Sequence, residues 1–406
     1  MMTRSTRYRT LILGAGAAGM MCAAQSGPGT LVVDHAKAPG EKIRISGGGR
    51  CNFTNTGCDP EAFLSENPHF AKSALSRYTQ WDFLDLVQRH GIAWHEKTLG
   101  QLFCDGSAKE IIAMLRSEMD RAGAALWLRT EIGDVSRDGD RFSVALTREG
   151  ETHRITCEHL VIATGGLSIP KMGASGIGYR LARQFGLGIV PTRPGLVPLT
   201  FSGAPLDRLR ALSGVALPAR IHADGPAFDE ALLFTHRGLS GPAILQASSY
   251  WAEGRAVSVD LDPGGAVLPA LKEARSSAGR KSPGTILSRH LPARLATALL
   301  DEVELPRTIG DCADADLERL EDRVRRWTIA PAGTEGYRTA EVTLGGIDTA
   351  ALDSKTMAAR ACPSLFAIGE AVDVTGWLGG YNFQWAWSSG WAAGRAISAL
   401  KSPEAI

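Results

Sequence analysis

Gly14, Gly16 and Gly19 form a Gly-x-Gly-x-x-Gly turn directly after the apolar run Leu11-Ile12-Leu13, and Asp34 closes the next apolar run, Leu31-Val32-Val33. An acid about 20 residues beyond the first glycine completes the fingerprint of a dinucleotide-binding strand–turn–helix–strand unit. Each residue has a mechanical task. Gly14 permits the tight turn, Gly16 lets backbone approach a pyrophosphate, Gly19 lets the helix lie close to its strand, and Asp34 accepts from a ribose hydroxyl. The amides of Ala17 and Ala18 open the helix, whose positive end attracts phosphate.

Further turns carry the same kind of chemistry. Ser46-Gly47-Gly48-Gly49-Arg50-Cys51-Asn52 sets three glycines among a hydroxyl, a guanidinium, a thiol and an amide. Such backbone can lie against a flat ring or a phosphate, and Lys42 and Arg50 can bring positive charge to a diphosphate. Thr164-Gly165 follows the apolar strand Leu160-Val161-Ile162, and Gly369-Glu370 with Asp373 follows a second, Leu365–Ile368. Asp373 is placed to bond a polyol hydroxyl. Gly380-Tyr381-Asn382 opens the final helix, whose amides could face negative charge on a bound ring; a helix start used only for packing is the alternative.

The elements that position these turns alternate strand and helix at both ends of the chain, the pattern of an α/β fold with a parallel sheet. The spacing predicts helices around Phe70–His90 and Ala108–Ala122, the latter with a Ser107/Glu110 capping box. Arg141–Leu146 and His153–Cys157 read as a hairpin about a polar turn. Composition shifts at Pro191-Thr192-Arg193-Pro194-Gly195 to Pro-punctuated strands, then to several helices over Leu268–Arg326. One nucleotide-binding domain made from residues 1–190 and 336–406 is therefore expected. Between its halves lies a β-rich substrate or cap domain, 191–335, with a helical subdomain at about 265–330; such insertions need only close entry and exit points.

Bulk properties exclude more than they establish. The 406 residues carry a formal charge of +1, which gives no overall pull toward nucleic acid or anionic lipid. Seven cysteines are scattered without a Cys-x-x-Cys pair, against a disulfide framework, a metal centre or a dithiol. The basic start precedes an apolar run that a glycine turn interrupts, unlike a secretion signal. No run reaches the roughly 18 apolar residues of a membrane helix. A cytoplasmic protein is the expectation.

The quoted motifs, with Ala163-Thr-Gly-Gly-Leu-Ser168, Phe234-Thr-His-Arg-Gly-Leu-Ser-Gly-Pro242, Thr343-Leu-Gly-Gly346 and Gly379-Gly-Tyr-Asn-Phe-Gln384, resemble those of the YhiN/BaiN-like bacterial flavoproteins. The resemblance covers nearly the whole chain. It implies a Rossmann-like, glutathione-reductase-type FAD domain, bound FAD, and NAD(P)-linked oxidoreductase activity. Three departures stand out: Gln101-Leu-Phe-Cys104 replaces an Arg-x-Phe-Pro segment, Ile177 an acid and Leu187 a histidine. No second Gly-x-Gly-x-x-Gly exists for a dedicated NAD(P)H domain, so that donor would dock transiently.

The substrate is expected where the inserted domain closes over the flavin. His236, Cys51 and Tyr381 are the candidate catalytic residues. A turn histidine, a packing thiol and a structural cap are their simpler alternatives. Trp377, Trp385, Trp387 and Trp391 are expected to pack the last helix. The leading expectation is an NAD(P)H-driven reductase of an electron-poor double bond in a small molecule. Alternatives are reduction of a ribosomal RNA uridine, with RNA held by Arg275, Arg280, Lys281, Arg289 and Arg294, an aminoacetone-like amine oxidase using O₂, and a flavin-binding redox sensor. No metal is expected.

Overall fold

The structure is a computed structural model and describes residues 5–400. Among the described residues, 5–193 with 342–400 form one compact unit and 194–341 a second. In the first, a parallel sheet runs in the order Cys362–Ala367, Glu151–Ile162, Ser5–Leu13, Thr30–Val33, Ala125–Trp127. Leu11, Ile12, Leu13, Leu31, Val32, Val33, Leu160, Val161 and Ile162 are wholly buried, as strands covered on both faces must be. The start of Glu151–Ile162 continues outward as an antiparallel pair with Arg141–Arg148. The expected hairpin is present, and its second strand continues into the expected buried strand as one long strand.

The helix Ala17–Ser26 follows the first glycine turn, and the long helix Tyr381–Ala399 packs against it. Their approach is close because both contact positions on the last helix are glycine. A Cβ on Gly390 would sit 2.5 Å from the Ala18 carbonyl oxygen, and one on Gly394 2.5 Å from that of Cys22. The tryptophans of this helix anchor it. Trp385 donates its indole N–H to the Gly369 carbonyl (3.0 Å) and Trp387 to that of Phe53 (2.8 Å). Trp387 also stacks on Phe83 at 4.4 Å.

The stretch expected as one helix over Phe70–His90 is two, Lys72–Arg77 and Gln80–Arg89. Thr79 breaks it by capping the second: its hydroxyl accepts from the Asp82 amide while Asp82 accepts from the Thr79 amide. Ser107 and Glu110 cap Ala108–Arg121 in the same manner.

The second unit holds a seven-stranded antiparallel sheet, ordered Trp327–Ile329, Val257–Asp260, Ala216–His222, Ala227–Thr235, Gly238–Ser240, Leu199–Thr200, Gly333–Thr334. Four of its helices, Val267–Ser277, Pro283–Leu287, Ala293–Leu300 and Asp314–Arg325, follow one another in sequence. No helix among the described residues is long and apolar enough to cross a membrane.

Candidate functional site

The first glycine turn separates packing from open space. Gly14 has φ +116°, and a Cβ there would overlap the Ala163 carbonyl; one on Gly19 would overlap the Gly14 carbonyl. Gly16 has ordinary extended backbone, and a Cβ there would meet nothing within 4 Å. Space is therefore left where a ligand would approach. The helix start beside it has no side-chain cap, so the amides of Ala17 and Ala18 remain available to an anion. Asp34 accepts from the Ala15 amide (2.7 Å) through one oxygen and from Ala36 (2.8 Å) through the other. Each carboxylate oxygen keeps a lone pair for a ribose hydroxyl.

In the second turn Gly47, Gly48, Gly49 and Cys51 all have positive φ, at +55°, +66°, +87° and +53°. A left-handed cysteine is strained backbone, and such strain gathers at ligand sites. The Ser46 hydroxyl donates to the Ile43 carbonyl (2.8 Å) and so caps the preceding helix. Cys51 is wholly buried and burial pushes its thiol up. A reactive thiolate needs access and a stabilising charge; the geometry makes Cys51 a packing group instead of a nucleophile. Asn52 donates to Gln101 Oε1 (2.8 Å), while its own Oδ1 is buried with no partner. An orphaned acceptor of that kind can be met by a ligand donor or by an ordered water.

Two expected ligand groups are engaged elsewhere. Lys42 Nζ donates to Glu370 Oε2 and Ser168 Oγ, both at 2.6 Å. Its charge is thus matched within the fold and is not free for a diphosphate. Glu370 Oε1 also accepts from Ser168 Oγ (2.9 Å) and the Thr343 amide (3.0 Å), so groups from three other segments, Lys42, Ser168 and Thr343, meet on one carboxylate. Asp373 is 4 % exposed and accepts from the Glu66 amide (2.9 Å) and Ser65 Oγ (3.3 Å). Burial holds its carboxyl above the usual range. It braces a loop where a polyol partner was expected.

At the last turn, Gly380 has φ +99°, and a Cβ would lie 2.9 Å from the orphaned Asn52 Oδ1. The Asn382 side chain accepts from the Gly376 amide (2.9 Å) and donates to the Gly376 (2.8 Å) and Trp377 (3.2 Å) carbonyls. Its amide is spent on the preceding loop, which corrects the expectation that it binds a ligand through that group. Tyr381 is 9 % exposed, with its ring edge-on to Phe63 at 6.0 Å. Gly369 has φ +65°, and its amide is tied to Ser389 Oγ (3.0 Å); Gly165 has φ +71° beside Glu370.

His236 lies in the second unit, exposed in the turn between Ala227–Thr235 and Gly238–Ser240. Its carbonyl accepts from Arg210 Nε (3.2 Å). It does not cap the helix Pro242–Ser248, whose cap position is Gly241. The basic strip is thinner than its sequence suggests. Arg275 pairs with Asp314 (2.7 Å), and Arg294 donates to the Ala211 and Ser213 carbonyls, leaving Arg280, Lys281 and Arg289 exposed without an ion pair among the described residues.

Ser168, Thr343 and Gln101 were not anticipated as site residues, and neither was a cavity of ≈ 310 Å³ lined by Gly47, Gly48, Arg50, His95, Lys97 and Phe103. All seven cysteines are free, and no group of His, Cys, Asp or Glu among the described residues could hold a metal. The open space at Gly16, the uncapped helix start, the left-handed glycines and the orphaned Asn52 acceptor fit a bound dinucleotide.

Comparison with known proteins agrees over the full length. The family model described as "HI0933-like protein Rossmann domain" matches residues 8–396. The chain is 53% identical to the ribosomal RNA dihydrouridine synthase of Escherichia coli (strain K12), over 98% of this chain and 99% of that protein. It is 47% identical to the protein of the same name from Haemophilus influenzae, over 96% and 98%. Among solved structures, 3-ketosteroid-delta4-(5alpha)-dehydrogenase from Rhodococcus jostii RHA1 shares the fold, with a TM-score of 0.53, 14% identity, and coverage of 98% of this chain and 99% of that one.

Proposed function

The chain belongs to the HI0933-like family and is an FAD-dependent oxidoreductase, and we propose that its substrate is a uridine of ribosomal RNA, reduced at the C5–C6 double bond. The observation that carries this reading is the 53% likeness along essentially the whole of a ribosomal RNA dihydrouridine synthase. It moves the substrate from the small molecule expected first to the RNA base held as its alternative.

FAD, when bound, supplies hydride transfer between a reduced donor and the pyrimidine. The open space at Gly16 and the amides of Ala17 and Ala18 would hold its pyrophosphate, Gly14 and Gly19 would let the turn and helix pack closely enough to present them, and Asp34 would hold the ribose. The turns at Ser46–Asn52, Thr164-Gly165, Gly369-Glu370 and Gly380 would form the rest of the cradle, where Asn52 Oδ1 could accept from the ligand. In the base, C5=C6 is conjugated with the C4 carbonyl. Reduction of that bond would therefore require, besides the hydride, a proton delivered to C5 by the protein or by water. His236 and Tyr381 are the candidate proton sources. NADPH or NADH is the proposed donor, docking transiently because the chain has no second dinucleotide fingerprint. Residues 194–341 contribute RNA contacts through Arg280, Lys281 and Arg289.

The test is to incubate the FAD-loaded protein with NADPH or NADH and deproteinised rRNA from cells lacking the activity, then quantify dihydrouridine by nucleoside mass spectrometry. Donor-dependent dihydrouridine is expected. Its absence with both donors, while the flavin is still reduced, refutes the substrate. His236→Ala should slow RNA reduction by about 10²–10⁴-fold if it is the donor; an unchanged rate moves that role to Tyr381.

A further inference from the structure

The cavity beside the second glycine turn has a composition that the cofactor does not require. His95 lies on Trp94–Glu96, paired across the strand with Phe103 of Gln101–Cys104. Their rings stack, 6.0 Å between centroids and 13° between planes. Lys97 Nζ stands 5.4 Å from the centroid of the same Phe103 ring. Arg50 reaches the cavity from the glycine turn. Neither Lys97 nor Arg50 has an acidic partner among the described residues, and both are exposed. The acid beside them, Asp105, is occupied with His95 Nδ1 at 2.6 Å. That bond occupies Nδ1 and leaves Nε2 for a ligand.

Two unpaired cations and a fixed imidazole around one concavity are a site for a phosphate ester. The nearby turn Thr98–Gly100 presents Leu99, 63 % exposed and held outward at φ +57°. A free phosphate or a dinucleotide has no use for an exposed apolar side chain there. An RNA strand does, because reaching C5–C6 of a base requires unstacking it from its neighbours.

Building on the rRNA reading above, we propose that Arg50, His95 and Lys97 grip a backbone phosphate of the substrate RNA next to the uridine being reduced. The site is an RNA-positioning element at the rim of the cofactor cradle, which it meets through Gly47 and Gly48. Its contacts are made equally in the bound and reacting states, so its loss raises KM and leaves kcat in place.

The test compares wild type, Lys97→Ala, His95→Ala and Lys97→Arg as full-length, FAD-loaded proteins. The readouts are flavin content, steady-state kinetics with rRNA and with NADPH, and rRNA binding across a salt series. For Lys97→Ala and His95→Ala the KM for rRNA should rise about three- to tenfold with kcat and flavin content unchanged. The logarithmic salt slope of binding should fall by about 0.7 for Lys97→Ala, the loss of one contact to a single strand, and Lys97→Arg should restore it. An unchanged KM for rRNA in a protein whose wild type reduces rRNA overturns this assignment alone. A raised KM for NADPH instead assigns the phosphate to the donor, and loss of flavin assigns it to the cofactor; either overturns it. A wild type that neither binds nor reduces rRNA overturns the substrate reading and this site together.

Discussion

Two glycines three residues apart, Gly16 and Gly19, should respond to the same added methyl group in opposite ways. Gly16 is the cap residue of the Ala17–Ser26 helix with φ −80° and ψ −169°, backbone that alanine adopts freely, and its Cβ would enter open space. Gly16→Ala stabilises the fold by about 0.4–1 kcal/mol through the unfolded chain and costs a similar amount as a poorer cap. The apoprotein should therefore melt within about 2 °C of wild type. The same methyl occupies the space left for the pyrophosphate. Loss of one charge-assisted amide–phosphate bond costs about 1.5–3 kcal/mol, or roughly ten- to a hundredfold in FAD affinity.

Gly19→Ala is the reverse case. Its Cβ overlaps the carbonyl oxygen of Gly14, which cannot retreat because Gly14 is itself wedged at φ +116° against Ala163. Separating the helix from the turn costs about 1–3 kcal/mol and should lower the apoprotein melting temperature by about 2–10 °C. Apoprotein melts and FAD titration by fluorescence quenching separate the two effects. If Gly16→Ala and the bulkier Gly16→Val are both purified yellow and fully loaded, the dinucleotide does not lie on Gly16. If Gly16→Ala destabilises the apoprotein as much as Gly19→Ala, Gly16 is a packing residue.

Two further outcomes follow from burial. The thiols of Cys22, Cys58, Cys104 and Cys157 are pushed up to about 12, and that of Cys51 is also raised, each mainly by burial. At pH 8 iodoacetamide should leave all five unmodified in the native protein and alkylate them once it is denatured; rapid native labelling of Cys51 would restore it as a reactive group. Asp373 holds its proton more tightly folded than unfolded, so its contribution to stability falls as pH rises from the ordinary carboxylate value, about 4, through the raised one. Asp373→Asn keeps an acceptor for the Glu66 amide and removes the charge. Denaturant titrations at pH 4 and pH 8 should show the variant gaining on wild type as pH rises, and a loss at the higher pH would contradict the sign.

The parallel sheet was legible because its strands are continuous apolar runs closed by glycine turns, a pattern that surface strands do not share. Where the reading slipped, a local side-chain bond outweighed periodicity. Phe70–His90 keeps helical spacing throughout, yet Thr79 and Asp82 bond each other's backbone and start a new helix at Gln80. The Thr-x-x-Asp spacing was visible but sits inside an apolar pattern that hides it. The site divides along similar lines. Backbone-driven features, the glycine turns and the uncapped helix, follow from residue type alone. Side-chain engagement does not: Lys42 and Glu370 are 328 positions apart, and nothing local says that one neutralises the other. Asp373 and Asn382 likewise look free in sequence and are spent on neighbouring backbone amides and carbonyls.

The cavity cations show what sequence could still have offered. His95 and Phe103 belong to short strands joined by a turn at Thr98–Gly100, and antiparallel pairing about that turn places them opposite each other. Lys97 follows two positions after His95 and therefore emerges on the same face; its amide then closes the ladder on the Gln101 carbonyl at 2.8 Å. A histidine, a lysine and an aromatic ring on one face were thus derivable once the hairpin was recognised. Arg50 was not, because it arrives from a glycine turn whose path depends on three successive left-handed glycines, Gly47 to Gly49. The RNA-positioning role proposed above rests on that convergence: a rigid strand pair fixes two of the basic groups, and the Gly47–Gly49 turn brings the third. A phosphate bound there would be held at a set distance from that turn, which a flexible surface cation could not achieve.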